Sequence, residues 1–421
     1  MLKEKLKKIN LENLTTEIAI FFKWFIISVF TGIIVGAVGI AFHYAIDCAT
    51  ELRNHYTWLI YLLPVGGLII TLLYHACKKD DDRGTNFILS AVKGKNNVSI
   101  LTAPLIFISS TITHLLGGSA GREGTALQLG GSIANTIGRV IKLDDKEIRI
   151  ITMCGMSAAF SALFGTPVTA AIFAIEVVSI GIMHFSAIVP CAISALTANI
   201  LAGFCLIEPT EFQLNGIPDF SVLSLGKTGV LAISCAILSV IFCIVMHKTS
   251  EHYKKFFKNR YLRIAVGGVL VIVLTLIVGT YDYNGAGMHI VENAFSGDVK
   301  YEAFILKIIF TALTLGAGYK GGEIVPVFFT GATFGNVAGK FLDLSPSFGA
   351  GIGIISLFCG VTNCPVTSII LSIELFGSDG IVYFFLSCAL SYMLSGNFGL
   401  YEEQEIRYSK LKLEKIDRKI Q

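Results

Sequence analysis

The sequence predicts an all-α polytopic membrane protein, and three observations support this fold class. Hydrophobic residues make up 53% of the 421 residues and charged residues only 15%, whereas a soluble domain has about 25% charged residues. The mean hydropathy is +0.70. Roughly ten segments are apolar over about 20 residues, the length that crosses a bilayer as a helix; the clearest are 24–46, 57–76, 185–207, 226–246, 261–280 and 380–395.

The charges concentrate near the two ends and in loops. The net charge of +3 is too small to indicate a nucleic-acid partner. Because cytoplasmic segments are enriched in Lys and Arg, both termini are predicted to be cytoplasmic. No cleavable signal peptide is expected, since the first apolar run, from Ile18, is too long for one. The basic residues are Lys3, Lys5, Lys7 and Lys8 before the first span, and Arg407, Lys410, Lys412, Lys415, Arg418 and Lys419 after the last.

No pattern of an enzyme or a metal site occurs. The ten cysteines show no CxxC spacing, which favours buried single thiols over disulfides or a metal centre. The motifs HExxH, GxSxG, the P-loop and the dinucleotide fingerprint are missing. His43, His55, His75 and His114 lack ligand-like spacing. We therefore expect no enzymatic activity, no cofactor and no bound metal.

An internal repeat divides the chain into two halves. "PVTAAIFAIE" at 167–176 returns as "PVTSIILSIE" at 365–374, and "GREGTALQLGG" at 121–131 shares its Gly, Glu and Gly spacing with "GGEIVPVFFTG" at 321–331. The two offsets are nearly equal, so chance is a poor explanation. The predicted organisation is an N-terminal segment, two transmembrane halves and a C-terminal segment, at 1–16, 17–227, 228–400 and 401–421.

Repeated halves interrupted by Gly or Pro are typical of transporters, often with inverted topology, and the interruptions indicate the binding site. Inverted halves with both termini inside place the midpoint of the chain outside. The basic run "KKFFKNRYLR" at 254–263 favours the inside. The sequence leaves this conflict open.

The segment 117–131 contains six glycines and the pair Arg122–Glu123 between apolar runs. The glycines argue against a continuous helix before Arg122, and the following residues are compatible with a helix. Glu123 is therefore expected at a helix N-terminus, where free amides and the helix dipole form an anion site.

A carboxylate at membrane depth costs a few kcal/mol, which makes Glu123 a functional candidate. Ionised, it can occupy the anion site as a tethered ligand; protonated, it can leave and admit an anion. Proton movement and anion movement would then be linked in opposite directions. The structural alternative is an Arg122–Glu123 surface pair of little energetic consequence.

These motifs resemble the CLC family of anion channels and transporters. "GREGT" at 121–125, "GYKGGEIVPVFFTGA" at 318–332, the two PVT helices and the Tyr of "GLYEEQ" at 399–404 carry the likeness, which covers nearly the whole chain. It implies two inverted halves whose broken helices meet at a central anion site, and a homodimer in the bilayer with one pathway per subunit. The cytoplasmic CBS domains of larger members are not expected.

The resemblance also assigns site residues. It makes Glu123 the external gate and proton carrier, and it makes Tyr401 the hydroxyl that faces the anion. The remaining anion-binding residues that it implies are Thr85, Asn86, Phe87, Gly121, Arg122, Gly124, Ile324 and Val325. Tyr401 also fits an interfacial aromatic, and Arg122 fits a structural residue bonded to carbonyls.

The motifs look more like the fluoride-exporting branch than the chloride branch. Thr125 replaces the Pro that usually follows GREG, and "GGEIVP" replaces a GIFAP-like loop. Val177 stands where chloride/proton exchangers carry an inner proton Glu, which makes Glu323 the candidate for that role. Val325 and Ser90 depart from the fluoride pattern, which expects a hydroxyl and an aromatic residue there.

Three functions remain open from the sequence. The first is fluoride export in exchange for protons, with fluoride and protons as the transported partners. The second is chloride transport, either by proton exchange or as a passive channel. The third is a receptor-like protein that binds an anion without moving it. Glu176 and Glu374, at matching helix ends, are expected to cap or pair, and the two PVT helices either line the pathway or pack between subunits.

Overall fold

The computed structural model describes residues 11–80, 84–95, 98–297, 299–412 and 414–420, with side chains from residue 15 onward. Most of the predicted N-terminal segment, including its four lysines, lies outside the described residues. Six described helical segments are long and apolar enough to cross a bilayer, and several apolar helices have only 10–17 residues. Short apolar helices of this kind match the predicted interruptions of the spans.

The first half of the described chain contains eight α-helices. A 3-10 turn, Thr57–Leu62, precedes the second helix, and another, Phe185–Ala187, precedes the eighth. The helices are α1 (Leu11–His55), α2 (Leu63–Ala76), α3 (Thr85–Val92), α4 (Thr102–Leu115), α5 (Glu123–Val140), α6 (Asp145–Phe164), α7 (Pro167–Glu176) and α8 (Ile188–Phe204).

The second half repeats this arrangement with eight further helices of similar relative length. They are α9 (Val222–Phe256), α10 (Arg260–Val278), α11 (Met288–Ser296), α12 (Ala303–Ala317), α13 (Ile324–Phe341), α14 (Pro346–Thr362), α15 (Pro365–Phe376) and α16 (Ile381–Leu394). The halves meet in the connection 205–221. The boundary predicted after residue 227 therefore needs correction, because it falls inside α9, which begins at Val222.

The two halves run in opposite directions. Glu176 at the end of α7 accepts hydrogen bonds from amides in the first turn of α15, and Glu374 near the end of α15 does the same in the first turn of α7. The two helices must therefore be antiparallel. Residues 121 and 322, before α5 and α13, also pair in antiparallel fashion. The predicted inverted repeat is confirmed by this arrangement.

Inversion also resolves the position of the basic run 254–263. Because the run begins in the last turn of α9, which crosses the molecule, it lies on the face opposite to the midpoint connection. Lys254, Arg260 and Arg263 line a cavity together with Tyr401 and Glu402. The run therefore shares a face with the C-terminal segment, and the apparent conflict with an inverted repeat disappears.

Glycines permit close packing of neighbouring helices in both halves. A Cβ at Gly130 of α5 would lie 2.1 Å from the carbonyl oxygen of Gly155 on α6, and one at Gly331 of α13 would lie 2.5 Å from that of Gly353 on α14. Small residues that let helix backbones touch are typical of membrane helix contacts. Close glycine packing at equivalent positions therefore holds α5 and α13, whose first residues form the site.

A small three-stranded sheet attaches the C-terminal segment to the helices, which the sequence did not predict. Its strands are β1 (Ser179–Ile180), β2 (Glu405–Tyr408) and β3 (Lys415–Lys419), in that spatial order. β1 and β2 are parallel, and β2 and β3 are antiparallel. This sheet ties the residues that follow Tyr401 to the end of α7.

Candidate functional site

The N-termini of α5 and α13 meet at the centre of the molecule. The amide of Gly121 donates to the carbonyl of Gly322 over 2.7 Å, and the amide of Gly322 donates back over 2.6 Å. A Cβ at Gly322 would lie 2.6 Å from the amide nitrogen of Gly124. Glycine at these positions therefore allows the two helix ends to come into backbone contact. Two positive dipole ends and their free amides face one region, as an anion site requires.

Glu123 is the first residue of α5, as the sequence predicted, and its side chain is 1% exposed. Its Oε2 accepts a hydrogen bond of 3.1 Å from the amide of Arg122, and the amides of Glu123 itself and Val325 also interact with the carboxylate. Its Oε1 is buried and has no hydrogen-bond partner among the described residues. The carboxylate thus lies against amides of both helix ends, where a bound anion would compete with it.

Arg122 turns away from the helix junction. Its Nη1 lies 2.9 Å from Nδ1 of His43 and 3.1 Å from Oδ1 of Asp47, both on α1, and its Nε is 3.8 Å from Oε1 of Glu123. The sequence expectation that it bonds nearby carbonyls needs correction, because its hydrogen-bond partners are side chains of another helix. Arg122 therefore fastens the segment before α5 to α1 and leaves one weak charge contact with Glu123.

Glu323 occupies a different register from Glu123. It is the N-cap of α13, one residue before the helix begins, whereas Glu123 is the first residue of α5. The sequence alignment of Glu123 with Glu323 was therefore off by one: Gly121 pairs with Gly322, so Glu323 corresponds to Arg122. Glu323 lines the cavity that also contains Lys254, Arg260 and Arg263, whereas Glu123 is absent from the described lining of that cavity.

Side chains from α3 and α5 surround the junction on the Glu323 side. The Oγ1 of Thr85 donates to the carbonyl of Gly124 over 3.2 Å, and Nε2 of Gln128 donates to the same carbonyl over 3.2 Å. A Cβ at Gly124 would lie 3.3 Å from both Oε2 of Glu323 and Oγ1 of Thr85. These polar groups therefore converge on the first turn of α5.

Tyr401 closes the same region from the C-terminal segment. It is 1% exposed, and its hydroxyl has no hydrogen-bond partner among the described residues. Glu323 and Glu123 both lie close enough to influence it electrostatically. The backbone around it is anchored by Gln404, whose Nε2 donates to carbonyls of Val177 and Thr362 over 3.0 and 2.8 Å. A buried hydroxyl is thus held beside two carboxylates with its donor free.

A cavity of about 630 Å³ leads from the junction to the face that carries the C-terminal segment. Its wall carries four basic residues, among them Lys254, Arg263 and Lys320, and three acidic ones, so its formal charge is slightly positive. Acidic groups also line it, and one of them, Asp80, pairs with Arg260 at 2.9 Å. Net positive charge in a partly enclosed space raises the local concentration of anions. The cavity is thus suited to deliver an anion to Thr85, Glu323 and Tyr401.

Of the remaining predicted site residues, one lines the cavity and three do not. Asn86 lines the cavity, but its Oδ1 accepts from the amide of Glu403 over 3.2 Å. Phe87 is outside the described cavity lining, and the side chains of Ile324 and Val325 are packed in the core. For the last two residues only the backbone amides can face an anion.

Sequence reasoning missed Gln128, His247 and Gln404 at this site. Gln128 was detectable, because a polar residue one turn after Gly124 interrupts an apolar helix face. His247 lines the cavity, and its Nε2 lies 3.3 Å from the carbonyl of Leu400. No local sequence pattern indicates this position of His247. Among the described residues, no group of three or more His, Cys, Asp or Glu side chains is arranged to hold a metal.

Known proteins resemble this chain over most of its length. Residues 66–396 match the family described as "Voltage gated chloride channel". A "Chloride/fluoride channel protein" of Pseudomonas syringae pv. tomato is 32% identical over 395 residues, covering 92% of this chain and 87% of the relative. The "H(+)/Cl(-) exchange transporter ClcA" of Vibrio cholerae serotype O1 is 24% identical over 386 residues, covering 83% and 81%.

A solved structure shows the same fold. The crystal structure of a "CLC-type fluoride/proton antiporter" superimposes with a TM-score of 0.88 and 28% sequence identity, covering 91% of this chain and 98% of that one. The family match and the apolar helices together make this chain a multi-pass membrane protein of a transporter family.

Proposed function

This chain belongs to the voltage gated chloride channel (CLC) family, and on that premise we propose that it exports fluoride in exchange for protons. The observation that supports this most directly is the position of the Glu123 carboxylate against the amides of α5 and α13. The relatives whose names mention fluoride are more similar in sequence than the chloride exchanger of Vibrio cholerae.

Exchange follows from competition for the helix ends. With Glu123 ionised, its carboxylate satisfies the amides and the pathway is closed to anions. Protonation removes that charge, so the carboxyl group leaves and fluoride takes its place at the amides of Arg122, Glu123 and Val325, beside those of Gly124 and Ile324. Return of the carboxylate expels the anion and releases the proton. One residue therefore gates the anion and carries the proton in the opposite direction.

Glu323 supplies the proton step on the cavity side. Val177 cannot carry a proton, whereas Glu323 lines the cavity and lies near the first turn of α5. We assign it the transfer of protons between the cavity and Glu123. A proton gradient directed into the cell then drives fluoride out, which removes the fluoride that entered as HF.

Fluoride requires strong donors, because a small anion loses much hydration energy on leaving water. The free hydroxyl of Tyr401 meets this requirement. Thr85 can contribute its hydroxyl if its hydrogen bond to Gly124 rearranges, whereas Asn86 accepts from Glu403 through Oδ1 and can donate through Nδ2. Phe87 supplies a ring near the same helix start. Gly121 and Arg122 act through backbone geometry and charge.

We further propose a homodimer in the bilayer with both termini on the cytoplasmic side. The face with the C-terminal segment carries the basic run 254–263, as cytoplasmic faces do. Apolar side chains of α8 and α16 remain exposed on the chain, among them Ile200 at 60% and Phe385 at 59%. A second copy packed against these helices would cover such side chains.

The proposal is tested with proteoliposomes loaded with fluoride or chloride, an anion electrode and a pH-sensitive dye. Fluoride/proton antiport predicts that fluoride efflux is coupled to proton uptake and is much faster than chloride efflux. Equal efflux rates for both anions would favour chloride transport as the function. Anion efflux with no proton signal would indicate a channel.

A further inference from the structure

A second cavity, of about 360 Å³, lies on the face that carries the C-terminal segment, away from the helix junction. Four parts of the chain form it: the end of α3, the start of α6, the segment from β1 to α8, and β2. Its lining residues are Val92, Lys93, Lys146, Arg149, Ile150, Met153, Val178, Ser179, His184, Ser186 and Arg407. Its polar groups are hydrogen-bond donors, and none of its described lining residues is acidic.

The two cations on α6 are costly where they stand. Lys146 and Arg149 are three residues apart near the N-terminus of α6 (Asp145–Phe164), so they face each other on the helix surface. Cations there oppose the helix dipole as well. Three carboxylates, Asp144, Asp145 and Glu147, stand in the same helix start.

Two of the three nearby carboxylates are already engaged, and the third, Asp145, forms no ion pair with either cation. Asp144 accepts from the amides of Lys146 and Glu147, each over 2.8 Å, and caps the helix. Glu147 pairs with Lys23 on α1. Among the described residues, neither Lys146 nor Arg149 has an acidic partner within ion-pair distance.

The opposite wall of the cavity is partly neutralised but remains donor-rich. Arg407 pairs with Glu405 at 2.7 Å and with Asp417 at 3.0 Å, and Lys93 lies 3.6 Å from Glu405. His184 presents a buried Nε2 without a hydrogen-bond partner among the described residues. Burial lowers the pKa of His184, and the charges of Arg149 and Lys93 add to this effect.

We propose that this cavity binds a phosphate group, held by Lys146 and Arg149 and completed by the donors of His184, Ser179 and Lys93. Guanidinium and ammonium groups form strong, charge-assisted hydrogen bonds with phosphate oxygens. The general excess of cations on a cytoplasmic face does not explain why they converge on one cavity beside a buried imidazole nitrogen. The phosphate can belong to a soluble compound or to a lipid headgroup.

Because β2 forms one wall of this cavity and follows directly after Tyr401, a bound phosphate would also bridge the C-terminal segment to α6. Occupancy is therefore expected to stabilise the attachment of residues 405–408 to the helices. This effect is separate from transport at the helix junction.

The test uses the full chain in nanodiscs of zwitterionic lipid. In one arm inorganic pyrophosphate is titrated calorimetrically; in the other, phosphatidic acid replaces part of the lipid and bound lipid is counted by native mass spectrometry. The variant is Lys146→Gln with Arg149→Gln, and the matched control is Lys255→Gln with Lys258→Gln, two exposed cations that line neither described cavity. Lys146→Arg with Arg149→Lys keeps both charges and checks folding.

We expect binding in at least one arm, weakened about tenfold or more by the double Gln variant through loss of two charge-assisted hydrogen bonds. The control and the charge-keeping variant should bind like the original chain. Binding in the pyrophosphate arm identifies a soluble source, and binding in the lipid arm alone identifies a headgroup. Absence of binding in both arms, or equal weakening by the control pair, overturns the proposal.

Discussion

Glu176, the last residue of α7, caps the N-terminus of α15, and Glu374, near the end of α15, caps the N-terminus of α7. Oε1 and Oε2 of Glu176 accept from the amides of Val366 and Thr367 over 3.0 and 2.7 Å. Oε1 and Oε2 of Glu374 accept from the amides of Val168 and Thr169 over 2.9 and 2.7 Å. This reciprocal pair joins the two halves of the chain, and both carboxylates satisfy helix amides, as the sequence expectation of capping stated.

Replacing either capping Glu should lower stability without abolishing proton coupling. Glu176 is 6% exposed and also accepts from the Thr367 hydroxyl, so Glu176→Ala leaves buried donors unsatisfied at about 1–3 kcal/mol. Glu374→Ala should cost less, about 1 kcal/mol, because water can replace this more exposed cap. Thermal unfolding in detergent measures the difference, with the exposed Glu208→Ala as control. Loss of proton flux in a folded Glu176 variant would contradict a purely capping role.

Glu123→Gln should uncouple protons from anions. The amide side chain cannot ionise, so it cannot compete with fluoride as a charged ligand or carry a proton. Anion efflux should persist while the proton signal falls to background in the proteoliposome assay. Glu323→Gln should also reduce proton movement, because it interrupts the transfer from the cavity. Glu208→Gln, in the connection between the halves, is the control, and a Glu123→Gln protein that keeps the original proton-to-fluoride ratio would refute the gate.

Gly322→Ala should disrupt the helix junction. Its Cβ would lie 2.6 Å from the amide nitrogen of Gly124 and 3.1 Å from that of Glu123, and backbone atoms cannot move aside cheaply. Overpacking of this kind costs about 1–3 kcal/mol. Gly226→Ala in α9 is the matched control, since nothing lies within 4 Å of its Cβ and Ala favours a helix by about 0.5–1 kcal/mol. The two variants should shift the unfolding temperature in opposite directions; a neutral Gly322→Ala would mean that the junction is looser than described.

Tyr401→Phe should slow fluoride transport and leave stability unchanged or slightly raised. The hydroxyl is buried without a partner among the described residues, so its removal deletes an unsatisfied donor. Tyr383→Phe is the opposite case, because its hydroxyl lies 2.9 Å from the Ser224 hydroxyl and 3.0 Å from the carbonyl of Asp219. That variant should lose about 1 kcal/mol with normal flux. If Tyr401→Phe lowered stability with normal fluoride flux, while Tyr383→Phe slowed the flux, Tyr401 would have no role in the anion pathway.

The attachment of the C-terminal segment should weaken in acid. The hydrogen bond from Lys95, with the charges of Lys93 and Arg407, lowers the pKa of Glu405. A lowered pKa means that the stabilisation is complete above the ordinary Glu value of about 4.3 and is lost as the pH falls through the lowered value. Hydrogen exchange of residues 405–408 should therefore accelerate in this acidic range and with added salt. Lys95→Gln should accelerate it at neutral pH, whereas the exposed Lys258→Gln should not.

Several features were predictable because they depend on local sequence. The glycines before Glu123 and the helix-compatible residues after it correctly placed a helix start at this position. The repeated PVT segments identified α7 and α15. By contrast, the partners of Arg122 lie on α1, 75 and 79 residues away, and nothing near Arg122 indicates them. The one-residue shift between Glu123 and Glu323 was missed because three matching residues in eleven do not fix an alignment.

The sequence alone determined that this chain spans a membrane, contains two related halves and places an acidic residue at a broken helix. These properties follow from composition and short-range patterns, which any segment expresses by itself. Only the tertiary structure decided that Gly121 contacts Gly322, that Glu323 rather than Glu123 faces the basic cavity, and that β2 joins β1. Such contacts link residues about 200 or more positions apart, so they depend on how rigid helices pack against one another, which local periodicity does not encode.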